Sequence, residues 1–573
     1  MITDGNWWLW SSDLHREVMR LLVLQGHNLS STAREKIEQA ILLGPPRNMY
    51  KSELEDDDWT YIVDHSIWLR LSKILAGSTQ LGDAAMRKLQ ELSLANSEWK
   101  LAENERDEFL HWMSGTGDPD FESQKEIDLA PRKRSEIKEW LRTPIKSDDI
   151  HYEDTWRITC RERFFHAAFA LCDLASERNW AVGRWKEALQ VWSEEGQSIR
   201  SWRYLAPLVH KSMPDEVLQK LAHSLSWWLE VISKSIDCHE VVLLDLCQRL
   251  LNQPHEDGMS DDDPVMRAIN HPIGHLTQAI LNMWFKQEPK DNDRLPADIE
   301  PIFTQFFTGQ NPAYLNGRVV LASRLITIFR VDRQWTETHL LPLFDWSLDP
   351  REAKAMWEGF LWSPRLYPPL QISYKKQFLE TARNYDQLGK HARQFAAFIT
   401  YAALDIIDGY SVTEFQEALS SLPQAGLDES AQALAQALES AGDQREEYWI
   451  NRIQPFWQNI WPKSQDLTSK NIAKSLARLS IAAGDEFPSA LSTVKDWLQA
   501  IEHPHFEIHT LLKSGLLKRF PNESLSLLDI IISDQPWPNQ YIRDCLDCIS
   551  EALPALSNDS RFLRLEEYYR SKR

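Results

Sequence analysis

Cysteine, long apolar runs and positive charge are all in short supply in this sequence, and each shortage removes a class of protein. Six cysteines, Cys160, Cys172, Cys238, Cys247, Cys545 and Cys548, are too few to staple 573 residues, which fits a reducing compartment. No run approaches the roughly 20 apolar residues that a membrane span needs. The opening MITDGNWWLWSSD also lacks the basic and apolar regions of a secretory signal, so a cytoplasmic protein is expected. Sixty-three basic residues stand against 84 acidic ones, a formal charge of -21 that opposes binding to nucleic acid or to an anionic membrane. Neither is expected as a partner.

Catalytic signatures are missing as well. Ser114-Gly115-Thr116-Gly117-Asp118 has neither the preceding strand nor the following Lys-Ser/Thr of a phosphate loop, and reads as a turn. There is no GxSxG, no nucleophile with a recognisable base and no carboxylate pair at motif spacing. Cys545-x-x-Cys548 has the spacing of paired thiolates for zinc or redox chemistry, but no second pair completes a tetrahedral set. It lies within a helical pattern, so buried structural cysteines are the expectation. His503, His505 and His509 cluster without the glutamate of an HExxH motif. Asn270-His271-Pro272-Ile273-Gly274-His275 reads as a helix start, with Asn270 or His271 as cap and Pro272 at the first helical position. The expectation is a chain without catalytic residues, cofactor or metal.

Tryptophan is what the sequence has instead: 25 residues, within 43% hydrophobic and 10% aromatic content. A bulky side chain whose N–H needs a partner suits the seams between stacked helices, and also contact surfaces. Roughly four in five are assigned to the seams.

The stretch Tyr314 to Leu370 displays the building plan. Leu321, Leu325 and Ile328 share helical spacing, Asp332-Arg333 interrupts, and Trp335 begins a second run through Leu340, Leu341 and Leu343. Asp349 then caps a third helix with Pro350 in its first turn. Met356, Trp357, Phe360 and Leu361 form that helix's apolar face, which ends near Ser363-Pro364. Strand alternation is scarce along the whole chain. The predicted fold is all-α, a superhelix or α-solenoid of irregular antiparallel helix pairs, tetratricopeptide- or HEAT-like, although no 34-residue period repeats. Its regions are an N-terminal helical region 1–113, a polar linker 114–154 with one short helix over Ile137 to Leu141, a middle repeat region 155–300 and a C-terminal repeat region 301–573.

Trp357, Trp362, Arg365 and Tyr367 are the candidate protein-binding residues, being of the types that anchor interfaces. For Trp357 the sequence favours core packing, whereas Pro-flanked Arg365 and Tyr367 are as well suited to either role.

Three stretches carry a family likeness: Ala268 to Phe285 (AINHPIGHLTQAILNMWF), Gly317 to Arg324 running on to Trp362-Ser-Pro-Arg365, and Arg445-Glu-Glu-Tyr-Trp449 to Trp461-Pro-Lys-Ser464. Together they resemble the C-terminal helical region of bacterial anti-phage defence-associated sirtuins, chiefly over residues 260–500. In that family a Rossmann-like sirtuin domain hydrolyses NAD once a phage component is sensed. No glycine-rich dinucleotide turn followed by strands occurs here. The resemblance therefore implies a non-enzymatic sensor that binds a phage protein and controls a sirtuin-like effector domain in cis or in trans. Two alternatives stand beside it: an NAD-consuming or other hydrolase whose site is assembled from distant residues, and a structural adaptor holding a homo-oligomer together.

Overall fold

The computed structural model describes residues 7–11, 14–50, 54–101, 130–142, 155–194, 196–236, 238–255, 263–532 and 541–571. Among them the secondary structure is helical and no β-strand forms, so the fold is all-α as expected. The chain divides into two compact units, Met1–Ala188 and Leu189–Arg573.

In the first unit, α1 (Asp56–Ala76) opens with three aspartates, Asp56 to Asp58, that complement the positive end of the helix dipole. Its Ile62, Ile67, Leu71 and Ile74 are buried, and it packs on α2 (Asp83–Ala95) through Leu89 and Leu92. Buried Arg70 is satisfied by main chain, donating to the carbonyls of Leu9 at 2.9 Å and Ser66 at 3.1 Å. α3 (Arg134–Arg142) covers the helix expected at Ile137 to Leu141 and lies on α4 (Phe164–Ser176). Arg134 Nε donates to Asp173 at 2.7 Å and Lys138 to Glu177 at 2.8 Å, clasping the two together. The rest of the linker, the glycine turn at 114–118, and the core candidates Phe109 and Trp112 lie outside the described residues.

The second unit repeats one packing step. α5 (Ala222–Ser233) packs on α6 (Pro272–Phe285), α7 (Tyr314–Ala322) on α8 (Pro350–Leu361), and α10 (Gln424–Ser440) on α11 (Lys470–Ala482), where α9 (Pro368–Ser373) follows α8 in the chain. Side chains tie each step to the next at a recurring sequence separation. Arg249 reaches Asp215 across 34 residues, Arg318 reaches Glu352 across 34, Arg478 reaches Glu439 across 39 and Arg564 reaches Asp529 across 35. Tryptophan N–H groups do the same: Trp202 donates to the Cys238 carbonyl (36 residues), Trp346 to Thr381 Oγ1 (35) and Trp449 to Ser489 Oγ (40). The repeat thus exists in space although its period is too loose to be read in the sequence. Close backbone approach is part of it. A Cβ on Gly274 of α6 would stand 1.7 Å from the Ala268 carbonyl oxygen, and one on Gly359 of α8 would stand 2.7 Å from that of Val319 in α7.

Two expected helices are shorter than predicted. The run containing Leu321, Leu325 and Ile328 breaks into α7 and a second helix, Leu325–Val331. Ser323 Oγ bonds the Val320 carbonyl at 2.7 Å, and such back-bonding competes with the helical ladder. The run from Trp335 ends at His339, and Leu341–Phe344 form a 3-10 turn, because Pro342 has no N–H to continue the α pattern.

The capping predictions agree with the structure. His271 Nδ1 accepts from the Ile273 N–H at 3.1 Å, with Pro272 in the first turn of α6. Asp349 accepts from the N–H groups of Arg351 and Glu352 ahead of α8. No helix among the described residues is long and apolar enough to cross a membrane.

Candidate recognition surface

The four residues singled out in the sequence separate into one buried, one half-buried and two exposed. Trp357 is 0% exposed. It is ringed by Phe344 (centroids 5.0 Å apart), Tyr374 (5.6 Å) and Phe395 (6.0 Å), and its Nε1–H donates to the Phe344 carbonyl at 3.1 Å. It belongs to the core and cannot touch a partner. One helical turn on, Trp362 ends α8 at 51% exposed. Among the described residues only Trp227 and Trp362 are exposed tryptophans, and Trp227 lies flat on His275, ring centroids 6.3 Å apart. Among the described residues the Trp362 indole has no ring contact and no hydrogen bond. The chain leaves it facing solvent, an apolar surface that water does not favour.

Why the indole is outside follows from the local sequence. Ala353, Met356, Trp357 and Phe360 define the buried stripe of α8 at 3.6-residue spacing, and position 362 falls beyond the last full turn. Pro364 prevents the helix from continuing, so residues 364–367 run as an irregular connection to α9, which starts at Pro368. Arg365 and Leu366 are exposed there, Leu366 at 42%. Tyr367 is half-buried as the residue preceding α9, its ring edge-on to Phe329 with centroids 6.3 Å apart. The structure therefore brings Trp362, Arg365 and Leu366 together on one turn, with Tyr367 rooting it. Leu366 was missed in the sequence; its signal is a large apolar residue between two prolines, outside any helical register.

Phe329, the ring against which Tyr367 packs, lies in a segment held by its own neighbours. Asn292 and Arg294 donate their backbone N–H groups to the carbonyls of Arg330 (2.9 Å) and Val331 (3.0 Å), and Leu295 donates to Asp332 at 3.1 Å. Arg333 sits over the Phe329 ring at 5.4 Å and forms a triad with Glu337 and Ser373. On the buried side, Glu358 of α8 takes the Gly389 N–H and the His391 ring. A parallel pair, His275 Nδ1 with Glu230 at 2.6 Å, joins α6 to α5. Neither pair was legible in the sequence, since the partners lie 33 and 45 residues apart.

The other candidate clusters resolve as packing. Cys545 and Cys548 lie on the helix Tyr541–Ala552; the Cys545 thiol points to the Ile508 carbonyl at 4.0 Å and burial pushes its pKa up to about 12. That is the opposite of an activated thiol. The histidines do not converge: His503 stacks on His505 (6.5 Å) while His509 lies against Tyr541 (4.9 Å). Among the described residues no group of three or more His, Cys, Asp or Glu side chains could hold a metal ion. A small groove of about 490 Å³ lies in the first unit beside Trp68, Trp99 and Lys100.

No family model matches the sequence. An uncharacterized protein, y4cA of Sinorhizobium fredii, is 24% identical over 94% of this chain and 46% of its own length. Among solved structures, an engineered protein is 15% identical, covering 78% of this chain and 96% of that one at a TM-score of 0.26, a likeness too slight to argue from. The chain is thus similar, nearly end to end, to rather less than half of a longer uncharacterized protein.

Proposed function

We propose that this chain is a protein-recognition scaffold, a non-enzymatic stack of helix pairs that holds a partner protein and passes that binding to an effector. The observation that carries the reading is the Trp362–Leu366 turn. Its exposed indole and guanidinium project from a helix end that is locked beneath by Trp357 and Glu358. Tryptophan and arginine are the residues from which interface anchors are made, and a rigid base lowers the entropy cost of docking. Stacked repeats supply an extended surface for the remainder of the contact.

The partner in this reading is a phage protein, and the effector is an NAD-hydrolysing sirtuin-like domain. The resemblance of residues 268–285, 317–365 and 445–464 to defence-associated sirtuins supports both. The y4cA relative has more than half of its length beyond the region similar to this chain, room enough for an effector.

Co-expression of the chain with individual phage structural proteins tests the proposal. One of them should co-purify with the wild-type chain and fail to co-purify with Trp362→Ala. Failure of every candidate, with the chain shown to be folded, would overturn the phage-sensing reading. NAD loss catalysed by the purified chain and abolished by a point substitution in it would favour the hydrolase instead.

A further inference from the structure

Between Glu358 and Glu380 the chain carries no aspartate or glutamate, while Arg365, Lys375 and Lys376 fall within that stretch. In a protein of net charge -21 this is a local reversal of sign. Most of the cations around it are already matched. Arg330 pairs with Asp291 at 2.7 Å, Arg333 with Glu337 at 2.8 Å, Lys375 with Glu414 at 2.6 Å and Lys376 with Asp345 at 3.3 Å. Arg365 is exposed and, among the described residues, has no carboxylate or carbonyl partner. The backbone N–H groups of Arg365 and Leu366 are likewise bonded to nothing in the described chain.

We infer that the Trp362–Leu366 turn takes an extended peptide segment of a partner protein in which one aspartate or glutamate stands beside large apolar side chains. The inference rests on the protein-recognition reading above and names the chemistry of the partner. A guanidinium presents a planar fork that a carboxylate fills with two parallel hydrogen bonds. Trp362 on one side and Leu366 on the other cover the apolar neighbours of that carboxylate. They exclude water from the pair, which strengthens a charge-assisted bond. The free N–H groups of the turn offer main-chain donors to an extended peptide. One unmatched cation answers one carboxylate. A nucleic acid would instead need a row of cations for its phosphates, whereas the neighbouring cations Arg330, Arg333 and Lys376 are already paired with Asp291, Glu337 and Asp345.

Selection of random 12-residue peptides displayed on messenger RNA, using the purified chain as bait, tests this. Peptides that bind the wild-type chain and are lost on Arg365→Glu should carry an aspartate or glutamate next to a leucine, isoleucine, phenylalanine or tryptophan. Their affinity should fall about tenfold or more on Trp362→Ala. The same selection against the Arg365→Glu chain should return lysine or arginine at the acidic position, a reversal that loss of folding could not produce. The proposal is overturned if Arg365-dependent peptides lack an acidic residue, or if an oligothymidine strand competes for the turn. Peptides that bind yet ignore both substitutions would sink this site and leave the recognition scaffold standing. A folded chain that selects no peptide at all would sink the scaffold reading with it.

Discussion

Arg318 of α7 and Glu352 of α8 face each other as a two-pronged pair, Nε to Oε1 at 2.7 Å and Nη2 to Oε2 at 2.8 Å, each side chain 15% exposed. The remaining guanidinium nitrogen, Nη1, donates to the Phe306 carbonyl at 2.6 Å. Three segments of chain therefore meet at one side chain, one of them the first turn of the helix that ends at Trp362. An exposed ion pair contributes little to stability, but a shielded, bidentate one leaves a stranded charge when half of it is removed.

Replacing Glu352 with alanine should accordingly destabilise the protein by about 3 kcal/mol. Arg318→Ala should cost a similar amount, and the double substitution less than the sum of the two. Urea unfolding followed by tryptophan fluorescence measures this, and strictly additive losses would argue that the pair is not coupled.

Trp357 and Trp362 should behave as opposites although five residues separate them. Truncating Trp357 to alanine removes a fully enclosed indole and strands the Phe344 carbonyl, at a cost of about 4 kcal/mol. Trp362→Ala, removing a half-exposed indole with no ring contact or hydrogen bond among the described residues, should cost far less, about 0.5 kcal/mol. A large loss of stability in Trp362→Ala would mean that the indole packs against the fold.

Glu507, on the helix His505–Ser514, is 0% exposed, and among the described residues no other residue donates a hydrogen bond to its carboxylate. Burial raises its pKa, only partly offset by its own backbone N–H and then by the charges of Lys474, Arg478 and His505. The folded protein therefore holds this proton more tightly than the unfolded chain does. The stabilisation is complete below the ordinary carboxyl pKa of 4.5 and is lost as the pH rises through the higher folded-state value. Glu507→Gln should flatten the pH dependence of the melting temperature above pH 4.5, and Glu507→Met should raise stability near neutral pH by about 1 kcal/mol. Unchanged pH dependence in Glu507→Gln would show that the carboxylate finds a partner in solution.

Thiol accessibility offers a separate check on the packing. Burial pushes the pKa values of Cys247 and Cys545 upward, that of Cys545 to about 12, so at pH 8 neither supplies thiolate to an aromatic disulfide reagent. In the native protein both should stay unlabelled while half-buried Cys548 reacts slowly, and denaturant should expose all six cysteines. Fast native labelling of Cys545, read by peptide mass spectrometry, would contradict the buried CxxC.

Sequence alone determined the helical class, the cap at Asp349, a helix start at Pro272 with Asn270 or His271 as its cap, and the presence of a buried stripe through Met356, Trp357 and Phe360. All of these are local properties: the 3.6-residue period, side-chain oxygens or nitrogens ahead of a helix, proline in a first turn. It did not determine where helices would break. The helical period alone did not show that the Ser323 hydroxyl would bond the Val320 carbonyl or that Pro342 would turn the run into a 3-10 segment. Nor could it fix the 34- to 40-residue clasps, because each joins side chains whose proximity exists only once helix pairs have stacked. The helix α8 and the turn after it show the division within five residues. Local composition offered both Trp357 and Trp362 as interface residues while favouring the core for Trp357, and only the packing of α8 fixed that one indole is enclosed by rings and the other half-exposed at the helix end.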